Sequence, residues 1–253
     1  MLKIKNTYFI LKWMNMWYNK GMGGIKMLNV LVILFTISCA LYVYFYERIT
    51  KKQIFIFKAI TSFLFLLIGI YAYLKDVRTH SYDVFILIGV CCGFAGDILL
   101  GFRNLFTKHK NLFFIIGLTF FMAGHIAYIN AMFTHFHSEV IYLVISTLVS
   151  YISITLITYY TKVKFGKLTI PCHLYSLISG IFLSVGVLNI IRIDHLYVYI
   201  MLIGVVSFVT SDVLLSYLYF GNLSNTQRKI FKRINIATYY LGQLILALSI
   251  FIL

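Results

Sequence analysis

Two aspartates stand inside long apolar runs, in the stretches "FAGDILLGF" (Phe94 to Phe102) and "TSDVLLSYL" (Thr210 to Leu218). Asp97 and Asp212 each follow a small residue and precede an aliphatic pair. A carboxylate held in hydrocarbon costs about 2–3 kcal/mol or more unless it is paired, hydrated or protonated, so such groups face a bundle interior and mark functional sites. A single one could serve as polar glue between helices. Two at matched positions suit paired acid and base chemistry better: burial and mutual repulsion keep one carboxyl protonated while its partner stays ionised.

Polar partners follow each aspartate. "GHIAYIN" holds His125 and Tyr128 at a spacing of three, and "TYYLGQL" holds Tyr239 and Gln243 at a spacing of four, with Tyr240 beside them. Spacings of three and four place side chains on one helical face, so these donors could line the same hollow as the carboxylates. Lys58 lies near the start of an earlier apolar run, where it could either reach that hollow or snorkel to a basic rim.

The elements that must position these groups are membrane-spanning helices. Of the 253 residues 61% are apolar and 11% charged, with one proline, too little polar surface for a soluble globule. The apolar runs approach twenty residues, not the ten-residue alternation of a barrel, so the chain is predicted to be an all-α polytopic membrane bundle. Eight segments are read at roughly 27–46, 53–74, 83–102, 111–133, 139–160, 168–190, 196–219 and 230–253, all with short connections. The remaining acids, Glu47, Asp76, Asp83, Glu139 and Asp194, fall in connections or at helix ends, where water is expected to reach them. Residues 1–26 form a basic tail ahead of the 27–253 transmembrane domain; "KGMGGIKM" could be a translated ribosome-binding site of a bacterial gene with its true start at Met27.

Basic residues set the orientation, because cytoplasmic loops are enriched in them. The odd-numbered connections hold Arg48, Lys51 and Lys52; Arg103, Lys108 and Lys110; Lys162, Lys164 and Lys167; and Arg228, Lys229, Lys232 and Arg233. The even ones hold only Lys75, Arg78 and Arg192. Odd connections are therefore expected in the cytoplasm, with both termini opposite and both aspartates in the cytoplasmic leaflet of a bacterial inner membrane. The lysines of the tail pull against that orientation. The sequence pI of about 9.6 is accounted for by these loops and by lipid phosphates, so no nucleic-acid partner is expected, and no obligate protein partner is evident.

A faint echo at an offset of 115 residues sets Asp97 against Asp212, His125 against Tyr240, Tyr128 against Gln243 and Lys58 against His173. Two parallel four-helix halves would produce it, with a site between them. Other signals are discounted. Cys39, Cys91, Cys92 and Cys172 lack metal or redox spacing. "HFHSE" (His135, His137, Glu139) reads as an interfacial connection in preference to a metal site. No phosphate loop, dinucleotide fingerprint or serine-hydrolase elbow occurs.

The ordered set G-D-I-L-L in the third segment, G-H-I-A-Y-I in the fourth, S-D-V-L-L in the seventh and Y-Y-L-G-Q in the eighth resembles the YhhN family, whose studied members are lysoplasmalogenases. The resemblance covers roughly residues 53–250. It implies hydrolysis of the vinyl ether of a lysoplasmalogen to a fatty aldehyde and a glycerophospho-base, with Asp97 and Asp212 as the catalytic carboxyls. His125, Tyr128, Tyr239, Tyr240, Gln243 and Lys58 would bind substrate, and neither metal nor organic cofactor would be needed. The family often shows Lys-Pro where Lys58 is followed by Ala59, so any proline kink is missing here. The basic rim, Arg103, Lys108, Lys110, Arg228, Lys229, Lys232 and Arg233, could hold the lipid phosphate or serve topology alone.

Rival readings use the same acids. A proton-coupled small-solute or lipid transporter would also place carboxyls inside the membrane, although the single proline offers few broken helices. An intramembrane aspartyl protease needs glycine where Ala95 stands. A purely structural or sensory membrane protein is the remaining alternative.

Overall fold

The computed structural model describes residues 22–75, 80–136, 139–161 and 165–252. The basic tail to residue 21 and the expected loop residues Asp76, Arg78, His137, Lys162 and Lys164 lie outside them. Among the described residues the fold is all-helical, with eight long helices. They are α1 (Met22–Phe45), α2 (Lys51–Lys75), α3 (Ser81–Leu105), α4 (Lys110–His135), α5 (Val140–Thr161), α6 (Thr169–Arg192), α7 (Leu196–Phe220) and α8 (Asn225–Ile252). Short 3-10 turns at Thr107–His109 and Gly166–Leu168 lead into α4 and α6. Seven helices are long and apolar enough to cross a membrane; α5 has the shorter apolar run, Val140–Leu156. Large apolar side chains such as Leu74, Ile170 and Ile191 point outward, which suits lipid better than water.

The boundaries differ from the sequence reading mainly at two N-termini. α1 begins at Met22, and α8 begins at Asn225, because Gln227, Arg228 and Lys229 extend it as a polar first turn before the apolar part. α2 runs unbroken through Lys58 and Ala59, as expected without a proline. Asp83 is not water-exposed as the sequence suggested. It is buried at the start of α3, where its carboxylate accepts a hydrogen bond from the His80 backbone N–H at 2.9 Å and caps the helix.

Every consecutive pair of helices except α4 and α5 packs together, and two further pairings join helices apart in the chain: α2 with α8, and α4 with α6. α8 also reaches α3 and α1, and is the most buried helix. α3 can sit between α4 and α8 because it presents glycine to both. A Cβ at Gly89 would overlap the ring of Tyr128, and one at Gly93 would overlap the Gln243 amide. Without a strong solvophobic drive between helices in lipid, such close approaches and buried hydrogen bonds supply the packing energy. Ser38 and Thr61 meet at 2.7 Å between α1 and α2, and the Tyr82 hydroxyl donates to Ser249 at 2.6 Å between α3 and α8.

Gly89→Ala should therefore lower stability by about 1–3 kcal/mol, since Tyr128 is fully buried and cannot swing away. Ile88→Ala, at an outward-facing neighbour, should change it by less than about 0.5 kcal/mol. Thermal unfolding of the two variants in detergent checks this, and equal melting temperatures would contradict it.

Candidate functional site

Asp97 and Asp212 each lie eight residues before the C-terminus of their helix, α3 and α7. At 1.5 Å per residue this is about 12 Å inside. Both line a single cavity of about 360 Å³. Its walls come from the ends of the helices that adjoin the odd-numbered connections, and Lys58, Tyr175, Ser179, Tyr239 and Tyr240 also face it.

Asp97 is 2% exposed and is neutralised by a cation. Lys58 Nζ lies 2.9 Å from Asp97 Oδ1, so the lysine turns inward and does not snorkel to the rim. The Ser62 hydroxyl donates to Asp97 Oδ2 at 2.5 Å. A carboxylate only accepts, so the Ser62 proton is committed to it. The single Tyr240 hydroxyl proton faces two acceptors, Ser62 Oγ at 3.1 Å and the Lys58 carbonyl oxygen at 3.3 Å. Lys58 and Ser62 are four residues apart on α2, which puts both on the face toward α3.

Asp212 is held by neutral donors and an imidazole. The Tyr175 hydroxyl donates to Oδ1 at 2.5 Å and the Ser179 hydroxyl to Oδ2 at 2.8 Å, again from two positions four apart, on α6. His125, fully buried on α4, approaches from the other side with Nε2 3.2 Å from Oδ2. That contact is within ion-pairing range but outside hydrogen-bond geometry. His125 Nδ1 lies 2.8 Å from the Phe121 carbonyl oxygen, which can only accept, so Nδ1 is assigned the hydrogen. In the neutral ring Nε2 then carries no hydrogen, and it faces a carboxylate oxygen whose one hydrogen-bond donor is Ser179. The approach is attractive only when one proton resides on either atom. The rings of Tyr175, Phe182 and Phe208 surround the imidazole at centroid distances of 5.4, 5.1 and 4.7 Å and keep water from it.

Three of the candidate residues from the sequence, His125, Tyr128 and Gln243, do not line the cavity. They form a layer behind it. The Tyr128 hydroxyl donates to Gln243 Oε1 at 2.8 Å, and Gln243 Nε2 donates to the Tyr239 hydroxyl at 3.3 Å. Tyr239 in turn donates to the Gly93 carbonyl at 3.4 Å, one turn before Asp97. This chain fixes the Tyr239 ring at the cavity wall.

Ser62, Tyr175 and Ser179 escaped the sequence reading, although the two spacings of four carry a signal. Lys58 and Tyr175 are 117 positions apart, as are Ser62 and Ser179, whereas the aspartates are 115 apart. The echo thus shifts by two in α2 and α6, because five residues connect α2 to α3 and three connect α6 to α7. His173, expected opposite Lys58, instead bonds the Thr169 carbonyl at its own helix start. Among the described residues no three His, Cys, Asp or Glu side chains converge as a metal site would require.

Removing Lys58 leaves a buried carboxylate without its countercharge. Lys58→Met should cost about 2–3 kcal/mol, and adding Asp97→Asn should recover most of the loss. Chemical denaturation of both variants reads the coupling, and additive losses would contradict the pairing.

No curated protein and no solved structure matches the chain. The YhhN family matches it over residues 53–250, which runs from the start of α2 to nearly the end of α8 and takes in every residue of the cavity site named above. The chain belongs to the YhhN family.

Proposed function

We propose that the protein is a lysoplasmalogenase-like hydrolase that cleaves the vinyl ether of a lysoplasmalogen with Asp97 and Asp212 as its acid and base. The observation that carries this reading is the contrast between two carboxyls on one cavity. Asp97 faces a lysine and a serine hydroxyl, while Asp212 faces two hydroxyls and an imidazole nitrogen 3.2 Å away.

Vinyl ethers hydrolyse by protonation at carbon. The proton of the Asp212–His125 pair passes to the alkenyl carbon remote from oxygen, the π electrons of the C=C bond form the new C–H bond, and an oxocarbenium ion remains. Asp97, kept ionised by Lys58 and Ser62, stabilises this cation and takes a proton from the water that adds to the carbon bearing oxygen. In the resulting hemiacetal, Asp97 returns that proton to the glyceryl oxygen as its bond to carbon breaks. The hemiacetal hydroxyl gives its proton to Asp212, the aldehyde leaves, and both carboxyls regain their starting states. Paired carboxyls serve glycosidases through a similar cation. Tyr239 and Tyr240 bound the substrate from α8; Tyr128 and Gln243 hold Tyr239 in place, and Ser62 and the Lys58 carbonyl hold Tyr240.

The same reading takes all eight helices as membrane spans in two parallel four-helix halves. Support comes from matched exchanges: α8 of the second half reaches the Asp97 side through Tyr240 and Ser62, and α4 of the first half reaches Asp212 through His125. The cavity lies toward the basic connections, which the charge pattern assigns to the cytoplasmic face of a bacterial inner membrane. A lysolipid in that leaflet carries its vinyl ether just below the headgroup.

Purified protein in detergent, supplied with lysoplasmalogen and with its saturated ether analogue, should release aldehyde from the first alone. Asp97→Asn and Asp212→Asn should each lower the rate by about 10²–10⁴-fold. No aldehyde from the wild type, together with pH-dependent solute uptake in vesicles, would favour proton-coupled transport by the same carboxyls.

A further inference from the structure

The cavity has a cationic end that none of the steps above uses. Of the seven basic rim residues, only Lys232 lines it. Four others are committed elsewhere. The Arg103 guanidinium lies over the Tyr219 ring at 3.9 Å and the Phe114 ring at 4.8 Å. Arg228 donates to the Leu218 carbonyl at 2.7 Å, and Lys229 and Arg233 pair with Glu47 at 3.4 and 3.1 Å. Lys108 and Lys110 are exposed and outside the lining.

Lys232 is half-buried, and among the described residues no carboxylate lies within ion-pairing distance of it. Its Nζ has one polar neighbour, Asn235 Oδ1 at 3.4 Å, and lies 5.4 Å from the centre of the Tyr46 ring. The Asn235 amide nitrogen is itself spent on the Ser211 carbonyl and hydroxyl, both at 2.8 Å, so its oxygen is held facing the lysine. An amine partly withdrawn from water, with Lys58, Arg103 and Asp97 in electrostatic reach and a single weak acceptor, is an incomplete site that a bound anion would complete. Lys51, at the N-terminus of α2, lines the same end and is exposed.

Length decides which anion. Lys232 precedes Tyr239 and Tyr240 by seven and eight residues on one helix, about 10–12 Å of axial rise. An extended glycerol unit separates a phosphate from an ether-linked alkenyl group by roughly 8–9 Å at ordinary covalent dimensions. With the remaining gap bridged by the lysine side chain, an anion at Lys232 places the alkenyl carbons level with the tyrosines and Asp97. Beyond, Val149, Ile154 and Leu183 continue the cavity as an apolar seam between α5 and α6.

We propose that Lys232, with Lys51 at the mouth, binds the phosphate of a single-chain glycerophospholipid and so sets the depth at which its first-carbon linkage meets Asp97 and Asp212. The assignment rests on the hydrolase reading for the bond that reacts, but its test does not need turnover. Wild type, Lys232→Gln and Lys232→Arg are titrated by calorimetry in detergent with three probes: a saturated 1-alkyl lysophosphoethanolamine, the matching 1-alkylglycerol, and inorganic phosphate. Lys232→Gln should weaken the lysophospholipid at least tenfold and flatten its salt dependence, Lys232→Arg should retain most of the affinity, and the alkylglycerol should bind all three proteins alike. Equal losses for lysophospholipid and alkylglycerol, or no loss for either, would overturn the phosphate site. Binding of inorganic phosphate as tight as the lysolipid would assign the site to a free anion and overturn the lipid assignment. Because the lysophospholipid probe has no vinyl ether, lipid binding at Lys232 without aldehyde release from lysoplasmalogen would defeat the hydrolase reading alone.

Discussion

Charge in a medium that cannot solvate it is the constraint around which this bundle is built. Two carboxyls about 12 Å inside their helices must be met by cations, donors or protons, because lipid and apolar side chains offer none. Each is met differently. Asp97 has a lysine and a serine; Asp212 has a tyrosine, a serine and a histidine whose second nitrogen is tied to a backbone carbonyl. The difference gives two like groups unlike electrostatic surroundings, which is what a site with both an acid and an anion needs before any substrate arrives.

The helix arrangement follows from serving both carboxyls at once. Asp97 is approached by α2 and Asp212 by α6, each at positions four residues apart. The Asp97 side is also reached by α8, through Tyr240 and Ser62, and Asp212 by α4, through His125. Tyr128 and Gln243, 115 positions apart, hydrogen-bond to one another where α4 and α8 meet. Gly89 and Gly93 on α3 make that meeting possible by leaving room for the Tyr128 ring and the Gln243 amide. A polar layer behind the cavity thus positions Tyr239 in front of it.

The helices were legible in the sequence because each is a long apolar run and lipid leaves the backbone few alternatives. The burial of Asp97 and Asp212 was legible for the same reason: a carboxylate in such a run has few places to go. Ser62, Tyr175 and Ser179 were not, because serine and tyrosine are ordinary residues in membrane helices and only the facing carboxylate makes them donors. Lys58 left two readings open, since its side chain is long enough for the rim or the interior, and packing against α3 decides between them. The tautomer of His125 depends on a backbone carbonyl of its own helix, a contact implied by no motif. The echo misassigned His173 because a difference of two residues in connection length is invisible until both helix ends are known.

Delivery of a proton to carbon is the step on which the proposed chemistry turns, and solvent labelling reads it directly. Lysoplasmalogen is hydrolysed in D₂O containing ¹⁸O, the aldehyde is trapped at once by reduction, and both products are weighed by mass spectrometry. One carbon-bound deuterium next to the former carbonyl, with no ¹⁸O in the glycerophospho-base, is expected. An aldehyde without carbon-bound deuterium, or ¹⁸O in the glycerol oxygen, would contradict protonation by the aspartate pair.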